Sequence, residues 1–174
     1  APEGSGISIA LGSERESDLV LTAAHVVDRA TRVQIRDSEN GILADAKVLW
    51  IDSDADIALL RTPTSRPALN LTTTRVTPGQ HVCVIANPFG LGISISCGVV
   101  SGIHRGGIGF NPIEDFIQTD AAVNPGASGG ALVDANGVLV GMIAAIFTKD
   151  ADIDAGVNFA ISGRLLVERI KRVA

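Results

Sequence analysis

The amino-acid sequence predicts an all-β protein, and three observations predict it. The apolar set leans to β-branched residues, with 18 Ile and 17 Val against 14 Leu, a choice that suits a pleated surface. Short alternating or apolar runs recur along the chain between turn residues, the pattern of a sandwich or barrel rather than of alternating strands and helices. Helical spacing is clear only at the C-terminus. The length of 174 residues is enough to bury a core and fits one domain or two tightly fused halves.

The elements follow in order. "SGISIAL", "LVLT", "TRVQIR", "ILADAKVLWI" and "DIALLR" read as the strands of a first half. Residues 61 to 79, "RTPTSRPALNLTTTRVTPG", have no convincing period and carry prolines and threonines, so they read as the connection to a second half. There, "HVCVIA", "ISISCGVVSGI", "DFIQTD", "GALVD", "GVLVGMIAAI" and "GVNFAI" are the strands. Asn136-Gly137 is the strongest hairpin signal, because Asn-Gly supplies the two positive φ angles of a type I′ turn. "SGRLLVERIKRV" puts Leu165, Leu166, Ile170 and Val173 at helical spacing, with Ser162 as N-cap, and predicts a helix whose apolar stripe packs on the barrel.

Bulk properties remove several function classes. The net charge is −5 and the pI about 5.1, with Lys and Arg scattered, so the footprint of a nucleic-acid binder is missing. There is no run of 18 apolar residues, and "APEGSGISIA" lacks the basic and apolar regions of a signal peptide. The chain therefore reads as soluble and trimmed or excised, with its compartment unwritten. Cys83 and Cys97 would face each other if the runs flanking "ANPFGLG" pair as a hairpin, but a lone pair of cysteines is no disulfide framework. Two buried reduced thiols are the favoured reading.

Three residues carry candidate chemistry. Ser128 lies in "GASGG", where glycines let successive N–H groups point at one spot, as a developing oxyanion requires. His25 ends an apolar strand in "VLTAAHVV", and Asp56 precedes one in "DSDADIALL". Each has an ordinary explanation as a turn serine, a core histidine or a solvated acid. Their order, His25 then Asp56 then Ser128, is that in which one class of serine protease supplies base, orienting acid and nucleophile. The acidic runs 52–56 and 150–154 fail as EF-hand loops. Ile57 and Pro63, or Ala155 and Ile161, stand where Gly and Glu are needed. His81 and His104 have no Cys, Asp or Glu at zinc-ligand spacing, and no phosphate-binding glycine loop is present, so neither metal nor cofactor is expected.

Longer stretches resemble one family over nearly the whole chain: "GSGISI", "LTAAHVV", "DSDADIALL", "ANPFGLG", "CGVVSGI", "DFIQTDAAVNPGASGG", "GVLVGM" and "GVNFAI" are similar to the HtrA (Deg) serine proteases. The resemblance implies the double β-barrel of the chymotrypsin (trypsin-like) type. The N-terminal barrel would span about 1–66, the C-terminal barrel about 67–161 and a helix about 162–173, with no PDZ domain in the chain. It implies catalysis by His25, Asp56 and Ser128, and an oxyanion hole from the N–H groups of Gly126 and Ser128 around Ala127. A substrate-lining strand would contain Ile143, Ala144, Ala145 and Ile146. The bulk of that strand implies cleavage after small aliphatic residues.

By the same resemblance the substrates are unfolded or misfolded proteins in a bacterial periplasm or envelope. The family's trimer-forming segment is not in the sequence, so trimerisation does not carry over. Residues 147–156, "FTKDADIDAG", correspond roughly to a regulatory loop and read as a solvated loop tip. The residue before the nucleophile is usually Asn in the family, and here it is Ala127. That departure implies an oxyanion loop that rests out of catalytic geometry until bound peptide selects the ordered state. It also keeps open a rival function, an inactive holdase that binds unfolded segments, and a third reading, a protease dedicated to one partner, differs from the first only in substrate range.

Overall fold

A computed structural model describes residues 4–37, 41–87, 92–144 and 156–173 of the chain. The first half is a six-stranded sheet made of β1 (Ile7–Ala10), β2 (Glu16–Ala23), β3 (Val33–Arg36), β4 (Leu43–Asp52), β5 (Ile57–Pro67) and β6 (Leu69–Asn70), in the order β3-β4-β5-β2-β1-β6. One helical turn, α1 (Ala24–Val27), follows β2 directly. The second half is a closed barrel of β7 (His81–Ala86), β8 (Ser94–Arg105), β9 (Phe116–Thr119), β10 (Ala131–Asp134), β11 (Leu139–Ala144) and β12 (Asn158–Ser162), in the order β10-β11-β12-β9-β8-β7. The helix α2 (Gly163–Ile170) ends the fold. The expected all-β class with a C-terminal helix is the class observed.

Strand periodicity explains why runs such as "DIALL" have no polar face. Successive side chains of β5 point to opposite sides, and both sides are covered. Ile57 and Leu59 enter a core shared with Ile9, Leu21, Phe116, Met142 and Leu166, whereas Ala58 and Leu60 enter a smaller one with Val20 and Val27. The shared core runs through both halves and under α2, so the two β bodies are packed rather than tethered. A separate cluster, including Val82, Val84, Leu132, Val140 and Ile143, fills the barrel interior.

Four expectations need correction. The predicted connection 61–79 is strand as far as Pro67, and β6 adds a short parallel pairing with β1. Pro63 is tolerated in β5 because a register shift opposite Ser17 and Leu19 leaves residues 62–65 without ladder partners. The Asn136-Gly137 turn is not type I′, since only Gly137 has positive φ, at 76°. Asp134 organises it instead: its Oδ1 accepts from the N–H groups of Asn136 (2.9 Å) and Val138 (3.0 Å), and the extra residue is absorbed as a register shift at Val133.

The helix starts as predicted, with Ser162 Oγ accepting from Leu165 N–H at 3.1 Å, but it ends at Ile170 and leaves Val173 half exposed. Finally, Cys83 and Cys97 are a disulfide and neither is buried. They stand directly opposite in the β7–β8 register, with Cα atoms 4.0 Å apart, on the outward face. The residues 145–155, which include Ala145, Ile146 and nearly all of the loop 147–156, lie outside the described residues.

Leu166 is fully buried where α2 meets the shared core. Leu166→Ala should cost about 2–5 kcal/mol of unfolding free energy, measured by denaturant titration. A loss within the scatter of surface substitutions would show that α2 is not part of the cooperative core.

Candidate active site

The geometry begins with two turns of the first half. Buried Ala24 and Val27 anchor α1 and turn His25 outward, with half of its side chain exposed. The turn between β4 and β5 is organised by Asp52. Its Oδ1 accepts from the N–H groups of Asp54 (3.1 Å) and Ala55 (3.2 Å), while its Oδ2 accepts from Nε of Arg169 on α2 at 2.5 Å.

Asp56 closes this turn at φ 62°, a left-handed conformation that costs a non-glycine residue about 1–3 kcal/mol and is held only where neighbours over-determine it. They do so here. The Asp56 carbonyl accepts from Ala24 N–H (3.2 Å) and Oδ1 from His25 N–H (2.8 Å), which leaves Oδ2 2.7 Å from His25 Nδ1. The Asp56 hydrogen bond holds the imidazole pKa above its ordinary 6.5, partial burial opposes this, and the Asp56 charge adds to the rise.

The second half brings Ser128. Its Oγ lies 3.2 Å from His25 Nε2, on the ring edge opposite Asp56, and the residue is 5% exposed. Hydrogen bonds from β11 and from Ser5 hold the surrounding turn. Gly129 N–H donates to Ile143 O (2.9 Å) and Ile143 N–H to Gly130 O (2.8 Å), fixing the turn to β11. Ser5 supplies the rest: its N–H donates to Ser128 O (2.8 Å), its Oγ donates to Gly126 O (2.8 Å), and the same Oγ accepts from Asn87 N–H (2.9 Å). Thr22 Oγ1 in turn donates to Ser5 O at 2.7 Å. Gly129, at φ 87°, passes so close to Ser5 O that a Cβ would overlap it. Side chains are thus excluded there by both conformation and space.

Between Gly126 and Ser128, Ala127 turns the other way. Its N–H donates to Asn124 O (3.0 Å) and its methyl, 2% exposed, sits in the barrel-interior cluster. The N–H groups of Gly126 and Ser128 have no acceptor among the described residues. Of the expected substrate strand, Ile143 is wholly buried in the barrel interior and Ala144 is 5% exposed in the shared core. Sequence reasoning assigned no role to Ser5, Thr22 or Arg169. "GSGISI" marked Ser5 as part of a motif, but its partner Gly126 lies 121 residues away.

The trypsin-like peptidase domain family matches residues 4–142. The chain belongs to that family. Within it the chain is of the HtrA (Deg) type. It is 38% identical over 169 residues to the periplasmic serine endoprotease DegP of Escherichia coli (strain K12), covering 94% of this chain and 34% of that protein. It is also 36% identical over 167 residues to the chloroplastic protease Do-like 1 of Arabidopsis thaliana, covering 92% of this chain and 37% of that one.

The fold superimposes on the HtrA-type protease AlgW with a tripeptide at TM-score 0.86, with 36% identity over 98% of this chain and 55% of AlgW. The chain thus spans about a third of the length of the curated relatives. Among the described residues no helix is long and apolar enough to cross a membrane.

Two predictions follow from this trypsin-like geometry. The His25 imidazole, followed by its NMR chemical shift, should titrate above 6.5 and drop in Asp56→Asn. A raised folded-state pKa means a contribution to stability that is full below 6.5 and is lost as pH rises through the raised value. An unchanged midpoint in the variant would exclude Asp56 as the cause. Ser5→Ala should lower kcat by up to about 10²-fold, the effect of misplacing a reacting group by an ångström, with KM nearly unchanged. Ser5→Thr, which keeps the hydroxyl, should restore part of the loss, and failure to do so would mean that the hydroxyl does not position the turn.

Proposed function

We propose that the chain is the catalytic unit of a quality-control endopeptidase that hydrolyses unfolded or misfolded proteins through an acyl-enzyme. The observation that carries this reading is the unbroken line from Asp56 Oδ2 through both ring nitrogens of His25 to Ser128 Oγ, at 2.7 and 3.2 Å. His25 Nε2 takes the proton of Ser128 Oγ as that oxygen attacks the scissile carbonyl, then returns it to the leaving amine. Asp56, bound to Nδ1–H, fixes the tautomer that leaves Nε2 free to accept and stabilises the imidazolium that forms. The N–H groups of Gly126 and Ser128, without an acceptor among the described residues, serve as the oxyanion donors. Ala127 anchors that turn by apolar burial, which favours a hole formed at rest over one awaiting its substrate.

Cleavage after small aliphatic residues is the specificity we propose. Its support is Ile143, which is hydrogen-bonded to Gly129 and Gly130 of the nucleophile turn and places an apolar strand directly beside it. A hydrophobic site of this kind distinguishes one methylene by only about 1–3 kcal/mol, so the preference should be broad. Extended peptide adds as a strand, because main-chain hydrogen bonds bind without demanding sequence, and folded proteins resist. The compartment we propose is the bacterial periplasm or envelope. The names of the bacterial relatives support it, and so does the disulfide, which persists where conditions are oxidising.

Casein incubated with the chain and with Ser128→Ala tests the reading. Cleavage by the former alone is expected. Equal behaviour would instead indicate a binding protein without peptidase activity. The kcat/KM profile should fall as pH drops through the raised His25 pKa, since the base must be neutral. A peptide library preferring aromatic or basic residues before the scissile bond would overturn the proposed specificity.

A further inference from the structure

The disulfide has a third chemistry-bearing neighbour. On β7, residues 81 and 83 alternate with Val82 and Val84, which are buried in the barrel interior, so His81 and Cys83 project together from the outer face. Cys97, directly across the register on β8, shares that face. The ligand-capable atoms of His81, Cys83 and Cys97 all lie within 4.8 Å of one another, and among the described residues they are the one group of three or more His, Cys, Asp or Glu so arranged.

His81 Nε2 stands 3.5 Å from Cys83 Sγ. In a tetrahedral centre with metal–sulfur and metal–nitrogen bonds of about 2.3 and 2.0 Å, a sulfur and a nitrogen ligand are about 3.5 Å apart. That pair therefore already has ligand spacing. Two sulfur ligands need about 3.8 Å, which bonded sulfurs cannot reach, so disulfide and metal exclude each other. His81 and Cys97 are exposed, leaving room for a water as fourth ligand and for a reductant to reach the sulfurs.

We propose that His81, Cys83 and Cys97 form a zinc site that opens when the disulfide is reduced. A dithiol reductant supplies two electrons and two protons. The S–S bond of the protein breaks, the reductant closes its own disulfide, and Cys83 and Cys97 become thiols. Zinc then replaces the two thiol protons, which pass to solvent, and the unprotonated Nε2 of His81 completes three protein ligands. The site is separate from the triad and independent of the proposed peptidase mechanism.

Zinc titration of the full chain against a competing chromophoric chelator tests this, with one sample oxidised and the other reduced by a phosphine. The reduced chain is expected to bind one zinc at least about 100-fold more tightly than the oxidised chain, the upper end of what losing even a ligand's hydrogen-bond partner costs. Cys97→Ser should lose that gain, and His81→Ala should weaken it. Cobalt in place of zinc should show a thiolate charge-transfer band in the reduced chain alone. Equal binding in the two redox states, undiminished binding in either variant, or loss of the barrel's circular dichroism on reduction would each overturn the proposal.

Discussion

The structure depends on the contact between Ser5 and the turn that carries Ser128. His25 and Asp56 belong to one β body and Ser128 to another, so the distance between them is set by how the bodies meet. A displacement of an ångström there is worth about two orders of magnitude in rate. Ser5 meets that demand with every one of its polar groups: N–H to Ser128, hydroxyl to Gly126 and from Asn87, carbonyl from Thr22. Because Gly129 is pressed against the Ser5 carbonyl, the approach has no slack for a side chain. The shared apolar core beneath makes the seam part of one packed interior, and packed interiors resist continuous deformation.

The acidic end of the line Asp56–His25–Ser128 is held from the far end of the chain. Arg169 on α2 binds Asp52, Asp52 shapes the turn 53–56, and that turn forces Asp56 into the left-handed conformation in which one carboxylate grips both the backbone and the ring of His25. The strain at Asp56 is thus supported from both sides of the molecule. Ala127 shows the complementary solution beside Ser128. Where a polar side chain would need a partner, a buried methyl holds the turn by packing, and burying an unsatisfied amide there would cost about 1–3 kcal/mol.

Much of this was legible before folding. Most strands were readable because alternation and β-branching reflect a pleat with one or two covered faces, and His25, Asp56 and Ser128 stood out as candidates because residue type and chain order together are restrictive. Other features were not. Pro63 disguised β5, since its tolerance comes from a register shift in the partner strand. Val173 matched the helical period of α2 but lies past the last residue the core covers. Asp134 changed the Asn136-Gly137 turn by capping it. Ile143 was placed in the substrate strand by resemblance, yet its side chain points into the barrel, because its position in the pleat decides its face.

By itself the sequence determined the fold class and most of the strands, and it singled out His25, Asp56 and Ser128 as candidates, because these are properties of local pattern and residue chemistry. The tertiary structure alone decided which groups converge. Ser5 reaches the nucleophile turn across 121 residues of separation from Gly126, Arg169 reaches Asp52 across 117, and Cys83 meets Cys97 with His81 beside them. The reason is physical: register and packing place such pairs, and both are set by the whole core rather than by the few residues on either side of each group.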